Sequence, residues 1–76
     1  MTISEFLNEI DTIRQVAPGS TSLEDRLGSL PGWDSMAVIS FIAMADEKLG
    51  INFVIGTLAS CKTVGDLAKQ CEGKVS

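Results

Sequence analysis

Histidine is absent from this chain, cysteine and proline occur only twice each, and six basic residues face ten acidic ones. Each shortage removes a class of function. Without histidine a serine nucleophile lacks its usual base, and Lys48 falls on the wrong side of its helix to serve Ser35. No catalytic residue is therefore expected. Cys61 and Cys71 fit no metal-ligand spacing and have no histidine to complete a site, so no metal is expected either. A net charge of −4 repels nucleic-acid phosphates and anionic membrane surfaces. Nucleic acid is thus an unsuitable partner, and a basic protein surface a suitable one. The longest nearly apolar run, Met36 to Ala45, is too short to cross a bilayer and contains a serine. Acidic residues near the N-terminus, with no basic run, predict a cytoplasmic chain without a signal peptide. In that reducing compartment both cysteines are expected as free thiols, Cys71 buried in a helix, with a regulatory disulfide as the alternative. Gly28, Gly32 and Gly50 are too dispersed to form a phosphate-cradling loop.

What is present reads as helix. Hydrophobic residues make up 45% of 76 residues, enough for one folded domain over 1–76, with a core over about 2–72 and a frayed tail at 73–76. Thr2 and Glu5 are spaced as a capping box, and Ile3, Phe6, Leu7, Ile10 and Ile13 recur on one helical face. Ala17-Pro18-Gly19 is the expected end of that helix. A long loop follows to Trp33, pinned by Leu23, Leu27 and Leu30. A second helix is predicted over Ser35–Leu49, with Val38, Phe41, Ile42, Ala45 and Leu49 inward and Gly50 as its stop. Ile51–Ile55 has strand-like composition but no partner strand, and is read as a connecting segment before a short helical turn near Gly56–Ser60. Thr63 and Asp66 cap a last helix, with Val64, Leu67, Ala68 and Cys71 inward, ending near Gly73. The expected architecture is all-α: three main helices plus a short one, and a monomer.

The most informative stretch is Gly32-Trp33-Asp34-Ser35-Met36. It delivers an Asp-Ser pair to a helix start, where unpaired N–H groups and the helix dipole favour an anion. An ordinary N-cap explains the same residues. Two positions are open for Trp33: packed on the core, which its size favours, or partly exposed beside the serine.

Asp34-Ser35-Met36 resembles the Asp-Ser-Leu attachment motif of acyl carrier proteins, with Met in place of Leu. The order of Leu23-Glu24-Asp25-Arg26-Leu27-Gly28, the motif helix, Leu49-Gly50-Ile51 and Thr63-Val64-Gly65-Asp66-Leu67 extends the resemblance over most of the chain. The resemblance implies that Ser35 carries a 4'-phosphopantetheine arm, attached from coenzyme A by a phosphopantetheinyl transferase, with Asp34 and Met36 as recognition neighbours. It implies acyl-loading and acyl-processing enzymes as partners and thioester cargo, and a fold able to open between its helices around an apolar chain. The three methionines would ease such repacking. One departure stands out. Much of that family has a strongly acidic second helix, whereas here the corresponding face holds Ala37, Ile39, Ser40, Ala43 and Met44, with charge only at Asp46 and Glu47. Ile39, Ser40, Ala43, Met44 and Glu47 are the candidate partner contacts. Ile39 and Met44 are equally readable as extra core. If exposed, they imply recognition by apolar contact rather than by charge. Either way, the departure points to a specialised pathway rather than general fatty-acid enzymes. The alternative function is a carrier-fold interaction module that is never modified.

Overall fold

A computed structural model describes residues 1–76 as four α-helices and one turn of 3-10 helix, with no strands. Helix α1, Ile3–Arg14, starts at the capping box: the Thr2 hydroxyl accepts from the Glu5 N–H and the Glu5 carboxylate from the Thr2 N–H. It ends three residues before the expected Ala17. Gln15 turns left-handed at φ 61°, its N–H bonded to the Asp11 and Thr12 carbonyls, while the Gly19 N–H donates to the Asp11 carboxylate. The chain is thus folded back before Pro18 can act as a breaker.

Helix α2, Ser35–Leu49, ends at Gly50, also left-handed, as the pattern predicts. The short α3, Ile55–Ala59, follows a strandless connection, and α4, Val64–Gln70, starts at a second capping box formed by Thr63 and Asp66. The last helix stops short of Gly73, because Glu72 and Gly73 both take positive φ. Residues 74–76 are docked rather than frayed. Ile3 N–H donates to the Ser76 carbonyl at 3.2 Å, Ser76 N–H to the Met1 carbonyl at 3.2 Å, and Val75 packs on the core.

Phe41 of α2 is fully buried and organises the core. It meets Phe6 edge-on at 5.9 Å and Trp33 edge-on at 6.0 Å, and stacks on Phe53 at 5.7 Å. Ile10, Met44, Ala45, Leu49, Leu58, Val64, Leu67 and Cys71 surround these rings. Leu27, in the 3-10 turn Leu27–Ser29, is buried, and Leu23 and Leu30 pack beside it, so the long loop is pinned as expected. Its Arg26 pairs antiparallel with Thr63, tying the loop to the start of α4 through Leu27 N–H to the Lys62 carbonyl and Val64 N–H to the Asp25 carbonyl. Both cysteines are free thiols, and burial pushes each thiol up from its ordinary value, more fully protonated and less reactive. Of the three methionines only Met44 is buried; Met1 is half-buried and Met36 is exposed, which weakens the expectation of a methionine-lubricated core.

The two capping boxes make stability depend on pH. The Thr2 N–H, then its hydroxyl, holds the Glu5 carboxyl below the usual range; the N–H groups of Lys62 and Thr63 do the same for Asp66. Carboxyls more acidic folded than unfolded stabilise the fold above their unfolded pKa, and that stabilisation is lost as pH falls through the folded values. The melting temperature is expected to drop on acidification from about pH 5, and to drop less in the Glu5→Gln, Asp66→Asn double variant. Parallel melting curves for the two proteins would contradict this.

Candidate functional site

The Asp-Ser pair lies where the sequence places it, and the structure separates the two roles. Asp34 is the N-cap of α2: its carboxylate accepts from the Ala37 N–H at 2.9 Å and its carbonyl from the Val38 N–H at 3.0 Å. Ser35 is the first helical residue and is exposed. Its hydroxyl is not the cap, so it is free for other chemistry. The N–H groups of Ser35 and Met36 donate to no group of the chain, leaving two orphan donors beside that hydroxyl at the positive end of a 15-residue helix.

Three features hold this junction in place. Trp33 is half-buried with its ring on Phe41, so of its two possible positions it takes the packed one. Gly32 has φ 83° and runs against the end of α1, where a Cβ would lie 2.9 Å from the Arg14 carbonyl oxygen. A larger residue there is both conformationally strained and sterically blocked. Third, a polar network crosses from α1 to the loop. The buried Asp11 accepts from the Thr21 hydroxyl at 2.6 Å. Thr21 in turn accepts from Arg14 Nη1 at 2.7 Å, and Arg14 Nε donates to the Pro31 carbonyl at 2.8 Å. The sequence reading missed Asp11, Arg14 and Thr21. The available signal was Asp11 four residues after Leu7, an acidic residue at the edge of the apolar face with a cation three positions on.

The candidate contact face of α2 divides. Met36 is 72% exposed and Ile39 55%, and Ser40, Ala43 and Glu47 are exposed with them. Met44 is not on this face. At 8% exposure it belongs to the core, and Ala37, at 3%, is buried too. Both lie on the edge of the helix turned toward its neighbours, where helical spacing alone leaves side chains undetermined. Met44 is therefore not a contact residue, and Ala37, though read on the same face, is closed to a partner.

Lys48 is remote from the serine in function as in register, since its ammonium pairs with Glu9 at 2.7 Å. A cleft of about 260 Å³ lies between Ile13 and Arg14 of α1 and Asp34, Met36 and Ser40, and Ser35 does not line it. The largest cavity, about 690 Å³, lies elsewhere, between the long loop and α4, and includes none of the motif residues. No three side chains of metal-ligating type come together, and no helix is long and apolar enough to cross a membrane. Comparison with protein-family models, curated proteins and solved structures finds no match to this chain.

Proposed function

We propose that this chain is an acyl carrier, holding acyl-type intermediates as thioesters on a 4'-phosphopantetheine arm attached to Ser35. The observation that carries this reading is the exposed Ser35 hydroxyl at the first position of α2, released from capping by Asp34. Attachment joins the serine oxygen to the pantetheine-side phosphorus of coenzyme A; the pyrophosphate P–O bond breaks, adenosine bisphosphate leaves, and the hydroxyl proton passes to a base of the transferase. The negative charge of the phosphodiester formed would face the orphan N–H groups of Ser35 and Met36. The helix end favours that charge by about 0.3–1 kcal/mol. Asp34 opposes it slightly, and its value lies with the transferase, where metal or basic groups meet it. When bound, the arm supplies a terminal thiol for the thioester. The residues of the chain do the rest: they present the hydroxyl, hold the loop, and offer Met36, Ile39, Ser40, Ala43 and Glu47 to loading and processing enzymes.

The exposed Met36 and Ile39 favour partners read by apolar contact, as in a specialised cytoplasmic pathway of fatty-acid, lipid or polyketide-like synthesis. The same two residues also suit the rival reading, an interaction module that is never modified. Incubation with coenzyme A and a broad-specificity phosphopantetheinyl transferase separates them. The intact mass is expected to rise by one phosphopantetheinyl group; an unchanged mass with several transferases would favour the unmodified module.

A further inference from the structure

Arg14 is the one side chain that links the end of α1 to both ends of the segment leading into α2. Its guanidinium fork bonds the Pro31 carbonyl at 2.8 Å and the Thr21 hydroxyl at 2.7 Å, and Thr21 is fixed by the buried Asp11 at 2.6 Å. Its own carbonyl is the surface against which Gly32 packs. Pro31 and Gly32 are followed directly by Trp33, Asp34 and Ser35. We infer that Arg14, oriented by Thr21 and Asp11, is a positioning residue for modification of Ser35, keeping the loop in the form in which the hydroxyl is presented to the transferase. The inference rests on the proposed carrier function.

The chemistry that asks for such a device is group transfer between two proteins. The hydroxyl must reach the reacting phosphate in line, and a preformed loop avoids ordering it during the encounter. Arginine suits the task because its planar fork makes two divergent bonds at once. Lysine keeps the charge but, as a single point donor on a flexible stem, does not reproduce that geometry. Trp33 holds the same loop from its apolar side, so losing the fork is expected to loosen the segment rather than unfold the domain.

Wild type, Arg14→Lys and Thr21→Val are compared in coenzyme A-dependent modification, with Arg26→Lys as a surface control and melting curves confirming that each is folded. Amide hydrogen exchange is followed in parallel at Trp33, Ala37 and Val38, the bonded N–H groups that flank the serine. Arg14→Lys and Thr21→Val are each expected to lower kcat by about tenfold at saturating carrier, with KM for the carrier unchanged and faster exchange at these three amides. The control is expected to match wild type. A variant that fails to fold is judged by the other, since either breaks the same link. Wild-type rates in the folded variants would overturn the inference alone. Slow modification with unchanged exchange would also overturn it, marking Arg14 as a direct transferase contact. A wild-type chain that takes up no phosphopantetheine would overturn the carrier reading and this inference together.

Discussion

Phe41→Ala is expected to lower the unfolding free energy by about 3–5 kcal/mol, measured by urea denaturation. The whole stability of a domain this small is roughly 5–10 kcal/mol, so the loss takes a large share of it. The size of the effect follows from position. Phe41 is fully buried and contacts aromatic rings from three other segments: Phe6 in α1, Trp33 in the motif loop and Phe53 in the connection after α2. Truncation opens a cavity at the point where these segments meet, and removes the surface on which Trp33 rests. The variant is therefore expected to lose stability and loosen the approach to Ser35 together. A loss below about 1 kcal/mol would show that the surrounding side chains collapse into the space, and that Phe41 does not organise the core.

The second large effect contrasts two neighbours on α2. Met44→Glu places a carboxylate at a position 8% exposed, and is expected to unfold most of the population, seen as lost helical circular dichroism. Ile39→Glu places the same charge at a position 55% exposed, and is expected to change stability by only about 0.5 kcal/mol. Under the carrier reading, Ile39→Glu weakens partner binding more than Glu47→Ala does, and binding changes little between low and moderate salt, because apolar contact is not screened. Equal tolerance of both Glu variants would place Met44 at the surface. Strong salt dependence with Glu47→Ala the more damaging would return recognition to charge.

The contrast between Ile39 and Met44 also marks how far the sequence is legible. Periodicity locates helices because burying one face is the main stabilising event, so α2 begins and ends at the residues read from the pattern. Helix starts with a capping side chain are as clear, as Thr2 and Thr63 show. Helix ends set by backbone conformation are not. Gln15 and Glu72 turn left-handed without glycine's freedom, their N–H groups bonded to carbonyls of the preceding turn, and residue type does not mark them. Residues at the edge of a helix face depend on what the neighbouring segments bring, which is why Met44 and Ala37 proved buried and Ile39 exposed. At the site, Ser35 and Asp34 were visible as local motif residues. The support beneath them, Asp11, Thr21 and Arg14, was not, because it joins residues 7 to 17 positions apart in a fold that periodicity does not specify.

The proposed role of Ser35 is tested most directly by locating the modification within the chain. Wild type and Ser35→Ala are treated with coenzyme A and transferase, checked by circular dichroism, and fragmented for peptide mass spectrometry. Since Asp34 supplies the cap, Ser35→Ala is expected to keep the native melting curve, avoiding the cap penalty of about 0.5–2 kcal/mol. The phosphopantetheinyl group is expected on Ser35 in the wild type and nowhere in the folded variant. Modification retained in Ser35→Ala, or mapped to another serine, would contradict the assignment.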